Sequence, residues 1–159
     1  MTTLLGTDYP NFVGVLDSPA PVSIRLNSLK QVELKTSGVV PWAERGFYLA
    51  SRSVFTLDPR FHAGAYYVQE ASSMFLEQAL LQHATLDRPA TFLDLCAAPG
   101  GKSTHIQNLI HNDSLLVSNE VIRSRVGALV ENLQKWGGAN CVVTSMTRRI
   151  FNRYPACLM

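Results

Sequence analysis

The sequence predicts an α/β protein, a partial Rossmann-like parallel sheet of three strands preceded by a small α+β module, and three observations carry that prediction. Apolar runs at 91–95, 115–120 and 141–144 alternate with helix-period segments, the β-α-β-α-β order that closes through right-handed crossovers. Between the first run and its helix stands Cys96-Ala97-Ala98-Pro99-Gly100-Gly101-Lys102, a turn of small residues with paired glycines. Ahead of these, Val22, Ile24 and Leu26 alternate with Ser23, Arg25 and Asn27, the period of a half-buried strand.

Each element has a local reason. Tyr9, Phe12, Val13 and Leu16 fall at i, i+3, i+4 and i+7, the stripe of an amphipathic helix that Pro19 and Pro21 end. The alternating strand follows, and Gly46-Phe47-Tyr48-Leu49 suggests another after a Pro/Gly-interrupted stretch. A second helix is expected near residue 70, with Ala71, Met74, Phe75 and Ala79 on one face, packed beside the first strand of the α/β unit. Past the glycine turn, Ile106, Leu109 and Ile110 give the next helix its apolar side. Ile122, Val126, Leu129, Val130 and Leu133 give a longer one that stops at Gly137-Gly138. The boundaries expected are 1–65 for the leading module, 66–145 for the α/β unit and 146–159 for a tail.

Composition bounds the function without naming it. With 159 residues, 47% of them hydrophobic and 16% charged, the chain has enough apolar material for one ordinary domain or two small units. The N-terminus lacks a basic stretch and a long apolar core, and no later apolar run approaches a membrane span. The expectation is a soluble, cytoplasmic, monomeric protein with no membrane and no metal. Cys96, Cys141 and Cys157 are odd in number and lack metal-ligand spacing, which argues against structural zinc and a disulfide framework. His62, His83, His105 and His111 are expected on the surface or in packing. Acidic residues outnumber basic ones over 69–145, and the excess positive charge lies in 146–159, so no basic stripe before the tail announces a polyanion partner.

The glycine turn carries the chemistry. Gly100 and Gly101 lack a Cβ, which allows positive φ and close approach of a ligand to the main chain, while a helix start offers free N–H groups. Gly101-Lys102-Ser103 imitates the end of a phosphate loop, G-x-x-x-x-G-K-[ST], but Cys96 stands where the first glycine belongs and no later strand ends in a metal-holding Asp. A P-loop-like nucleotide-binding protein is the weaker alternative. A Rossmann-like adenosine pocket fits better, because an acid about 20 residues past the turn grips the ribose diol. Glu120 ends the second strand at that spacing from Gly101. A helix-start acid favoured by the helix dipole is the weaker reading by itself, and the two roles are compatible.

Several segments together resemble one family, the Nop/Sun type of RNA cytosine-5 methyltransferase, most closely the bacterial branch that modifies small-subunit ribosomal RNA. They are 21–27, 61–74, the turn from Cys96 to Lys102, and Asn119-Glu120-Val121-Ile122-Arg123-Ser124-Arg125 with its helix, in the right order. The resemblance implies S-adenosylmethionine as cofactor, held by Cys96, Ala97, Ala98, Pro99, Gly100, Gly101 and Lys102, with Glu120 on the ribose hydroxyls. It implies RNA as partner, Gln69, Glu70 and Ser72 near the pocket mouth, and a ferredoxin-like, RNA-positioning leading module. Tyr66, Tyr67 and Met74 are expected in the core rather than stacking on bases, and Arg25 and Lys30 either contact phosphate or solvate a strand face.

The family's reaction needs a thiolate to add to cytosine C6, from an Asp-Ala-Pro-Cys turn after the fourth strand. This chain has no such turn. Cys96 matches the cofactor loop, and Cys157 in Tyr154-Pro155-Ala156-Cys157 lacks the strand and the Asp, so no catalytic residue is assigned. The resemblance stops after Ser145, where the family continues Asn-Asp-Pro-x-Asp-Phe and this chain reads Met146-Thr147-Arg148-Arg149-Ile150-Phe151. The expected explanation is a one-nucleotide shift of reading frame. Two readings follow: the front part of an RNA methyltransferase, or a non-catalytic S-adenosylmethionine- or RNA-binding remnant. Half of a complete methyltransferase sheet is missing, so an open strand edge at 91–95 and marginal stability are expected.

Overall fold

The computed structural model describes residues 2–151 and consists of two sheets closed over a shared junction. Two N-terminal helices, α1 (Thr2–Leu5) and α2 (Tyr9–Leu16), lead into β1 (Val22–Leu26), β2 (Gly38–Val39), β3 (Gly46–Leu49), α3 (Pro59–His62) and β4 (Tyr66–Val68). These strands form an antiparallel sheet in the order β2-β3-β1-β4. Asp58 caps α3, its side chain accepting from the Arg60 backbone N–H at 2.9 Å. The succession βββαβ contains one of the two crossover helices of a ferredoxin-like βαββαβ unit. Because Tyr66–Val68 pairs with β1, the leading sheet runs past the boundary expected at residue 65.

The second unit follows the predicted order: α4 (Leu76–His83), β5 (Thr91–Asp94), α5 (Gly101–Leu109), β6 (Leu115–Asn119), α6 (Arg123–Trp136), β7 (Cys141–Thr144) and the short α7 (Arg148–Phe151). The sheet is parallel in the order β5-β6-β7, which leaves β5 at one edge as expected. Gly137 takes φ +90° and ends α6 at the predicted glycine pair. Leu129, Leu133 and Trp136 are the buried positions of α6, while Ile122, the N-cap, is exposed.

Three expectations are corrected. The segment near residue 70 begins as a 3₁₀ helix over Ser72–Phe75, in which residues three apart eclipse. The buried face is therefore Ala71, Met74 and Glu77, and Phe75 and Ala79 point outward. That segment packs on α5 through Leu76 and Leu80, which join the cluster of Ile106, Ile110 and Leu116 against which Phe92 of β5 also packs. Secondly, β1 is buried on both faces: Ile24 faces one apolar cluster, while Ser23 and Arg25 face the junction with α5. Finally, α2 forms as predicted but buries none of its stripe. Among the described residues no helix is long and apolar enough to cross a membrane.

Candidate cofactor site

The turn after β5 is held from three sides. Asp94, at the end of that strand, accepts from the Cys96 backbone N–H at 3.2 Å and from Ser103 Oγ at 2.7 Å, so one carboxylate spans the turn and ties it to the first turn of α5. Ala97 donates its backbone N–H to the Asn119 carbonyl at 2.9 Å. The methyl groups of Ala97 and Ala98 pack with Leu129 and Leu133 of α6. Cys96, Pro99 and Lys102 are exposed. The Ala98–Pro99 peptide is cis.

Gly100 is the N-cap of α5 at φ +114°, where an L side chain is strained, and a Cβ there would lie 3.4 Å from Asn132 Cβ. Gly101 is small for a different reason than ligand approach, since a Cβ at that position would meet Tyr67 Cε1 at 3.3 Å. No side chain caps α5. Its opening N–H groups lack that partner, which suits an anionic ligand group.

Glu120 is 4% exposed and lies against the turn. Its Oε2 accepts from the Ala98 N–H at 3.3 Å and its Oε1 from the Ile122 N–H at 2.9 Å. Arg125 approaches to 3.6 Å and donates Nη2 to the Ala98 carbonyl at 2.6 Å. The Ile122 N–H, the Ala98 N–H and the Arg125 charge hold the Glu120 carboxyl below its ordinary range against the opposing effect of burial. The predicted pair of elements, turn and acid, is thus in direct contact, whereas α6 carries no acid in its first turn and Glu120 stands two residues ahead of its N-cap.

Sequence reasoning missed Asp94, Ser103, Asn119 and Arg125. Asn119 is fully buried and stitches the strand ends together: its Nδ2 donates to the carbonyls of Leu95 and Met146, and its Oδ1 accepts from Thr144 Oγ1 and the Met146 N–H. A strand-terminal Asp or Asn beside a glycine turn was the available signal, because such side chains satisfy turn backbone.

Arg25 and Lys30 are corrected most sharply. Arg25 is 1% exposed, so it neither solvates a face nor meets a phosphate. Its Nε donates to Gln69 Oε1 at 2.9 Å, and its guanidinium reaches Thr104 Oγ1 at 2.6 Å, the Thr104 carbonyl at 3.3 Å and the Gly101 carbonyl at 3.2 Å. The group also lies 4.6 Å from the Trp136 ring centroid. Lys30 Nζ donates to the carbonyls of Ala63 and Lys135. Gln69, expected near the pocket mouth, belongs to this buried junction, whereas Glu70 is exposed. Gly64, at φ +64°, permits the same closure, since a Cβ there would stand 2.0 Å from the Lys135 carbonyl. Tyr66 and Met74 are core residues, as expected.

Neither described cysteine is a poised nucleophile by geometry. Cys96 is exposed on the turn, and Cys141 is half-buried beside Ser118, where burial pushes its thiol up. Cys157 lies outside the described residues. No cluster able to hold a metal is found among the described residues.

Comparison with known proteins follows the same two units. Residues 1–71 match the family model described as the N-terminal domain of 16S rRNA methyltransferase RsmF, and residues 81–157 match that of 16S rRNA methyltransferase RsmB/F, a match that reaches past Ser145. Ribosomal RNA small subunit methyltransferase F of Shewanella piezotolerans is 35% identical over 156 residues, covering 91% of this chain and 33% of its own length. Its counterpart in Aeromonas salmonicida is 36% identical, with 90% and 33% covered. The chain thus spans about a third of the length of these curated relatives. Among solved structures, a methyltransferase homolog protein from Pyrococcus horikoshii superposes with a TM-score of 0.78 at 26% identity, over 94% of this chain and 52% of the other. Successive matches to both units, joined here through the Arg25 junction, mean that the chain belongs to the RsmB/F family of 16S rRNA methyltransferases.

Proposed function

We propose that this chain supplies the RNA-positioning module and the cofactor-holding half of an S-adenosylmethionine-dependent RNA cytosine-5 methyltransferase that acts on small-subunit ribosomal RNA in the cytoplasm. One observation carries the reading: Glu120 is buried against the glycine turn through the Ala98 N–H. Each of its oxygens accepts one backbone N–H and retains a further lone pair, as a vicinal diol requires. Residues Cys96 to Lys102 and Glu120 are the proposed cofactor contacts. Gly100 lets the backbone take the left-handed turn into α5, and the uncapped start of that helix suits the ligand's carboxylate. When bound, the sulfonium supplies an electrophilic methyl group.

The chain's own contribution is positional. Asp94 and Asn119 hold the turn, and Arg125 fixes both Glu120 and the Ala98 carbonyl. No residue of this chain is assigned as the nucleophilic thiol. Absence of the family's Asp-Ala-Pro-Cys turn also favours a second reading, a remnant that binds S-adenosylmethionine or RNA without methylating it. Methyl transfer to ribosomal RNA by the purified chain would eliminate that second reading.

Titration with S-adenosylmethionine tests the cofactor assignment. Saturable binding below about 1 mM, weakened about tenfold or more in Glu120→Ala, is the expected result. Binding indifferent to that substitution, or none at all, would overturn it.

A further inference from the structure

A cavity of about 370 Å³ lies in the leading module, on the face of the antiparallel sheet opposite the Arg25 junction. Its floor is Ile24 of β1, Leu49 of β3 and Tyr66 of β4, with Phe55 as an aromatic wall. The Phe55 and Tyr66 rings meet edge to face, with centroids 6.2 Å apart. Nothing in the glycine-turn argument uses this space, and its volume lies in the usual range of small-molecule sites.

The charge at its mouth is one-sided. Asp58 spends both oxygens internally: Oδ1 accepts from the Arg60 backbone N–H and Nε, each at 2.9 Å, and Oδ2 from Arg60 Nη2 at 3.0 Å and the Tyr66 hydroxyl at 2.9 Å. Asp58 and Arg60 therefore neutralise each other. Lys35 lines the mouth and forms no ion pair among the described residues, and Ser51 and Ser53 line it beside that cation. An apolar, aromatic interior with one unpaired cation and hydroxyls at its edge complements a flat ring that carries an anion. A base inside a duplex presents no such free face.

We infer that this cavity holds one splayed-out nucleotide of a single-stranded RNA segment, its base against Phe55 and its phosphate at Lys35. The assignment rests on the reading that RNA is the partner, and it names where on the leading module the strand is gripped. A pentaribonucleotide carrying a central 4-thiouridine, irradiated with the full chain and followed by tryptic mass mapping, tests it. Crosslinks are expected on the peptide 53–60, which contains Phe55, and Lys35→Glu is expected to weaken binding of the oligonucleotide about tenfold. Lys35 is exposed, so folding is retained in that variant. Crosslinks confined to other peptides, with binding unchanged by Lys35→Glu, would overturn the site while leaving RNA as partner. Absence of both crosslinks and binding would overturn the site and the partner together.

Discussion

Helices α2 and α5 reverse one another. The first reads Tyr-Pro-Asn-Phe-Val-Gly-Val-Leu and buries none of its residues, with Val15 and Leu16 about two-thirds exposed. The second reads Gly-Lys-Ser-Thr-His-Ile-Gln-Asn-Leu and is buried continuously from Ser103 to Gln107. Topology explains the difference. As the crossover between β5 and β6, α5 lies on the parallel sheet, and the leading module closes its other side through Arg25. Helix α2 precedes the first strand and packs mainly on the turn before it. Burial of polar side chains is tolerated in α5 because they find partners: Ser103 with Asp94, Thr104 with the Gly100 carbonyl, His105 with Glu77, and Gln107 with Asn140. The comparison teaches that a helix's place in the chain path outweighs the apolarity of its sequence.

Removing the cation that closes α5 should give the largest effect. Arg25→Met leaves Gln69 Oε1 and the Thr104 and Gly101 acceptors buried without their donor, and hydrogen bonds to charged groups are worth about 1.5–3 kcal/mol each. A loss of about 3 kcal/mol or more is expected from the urea midpoint. A loss below about 1 kcal/mol would show that the junction contributes little to holding α5.

An intermediate effect is expected from acid. His105 is buried against Glu77, its Nε2 2.8 Å from Oε2, and its Nδ1 has no partner. Burial and the neighbouring Arg25 charge hold its imidazole down to about 4, against the raising effect of Glu77. Because the folded value lies below the ordinary value near 6.5, the unfolded chain takes the proton first. Stability from this residue is full above that value and is lost as the pH falls toward about 4, at up to about 1.4 kcal/mol per pH unit. Urea midpoints at pH 7 and pH 4.5 should show the fall in the parent chain and a smaller one in His105→Gln. Equal falls would place the acid sensitivity elsewhere.

The smallest effect belongs to α2. Phe12→Ser alters a ring that is already 37% exposed, and a change within about 0.5 kcal/mol is expected from the same denaturant measurement. A cost above about 2 kcal/mol would mean that the stripe is packed, and would remove the contrast with α5.

Legibility followed the range of the interactions. The three parallel strands, the glycine turn and its helix, and the Gly137 stop were readable because each depends on period or on local backbone conformation. The closeness of Glu120 to the glycine turn was readable by spacing, since the second strand's length sets where that acid must fall. The 3₁₀ start at Ser72–Phe75 was not, and a change of helical period by a fraction of a residue was enough to turn Phe75 outward. β4 was missed because Tyr66–Val68 is too short to show alternation and exists only as a partner of β1.

The sequence by itself determined the three parallel strands and the helices between them, the glycine turn, and that an acid stands one strand beyond it. Tertiary structure alone decided that Arg25 serves α5, that Asp94 and Asn119 tie the turn to its neighbours, and that a polar helix is buried while an apolar one is not. The physical reason is sequence distance: periodicity and turn chemistry act between close neighbours, whereas Arg25 meets Thr104 across 79 residues. Such a partner exists only after both sheets have formed.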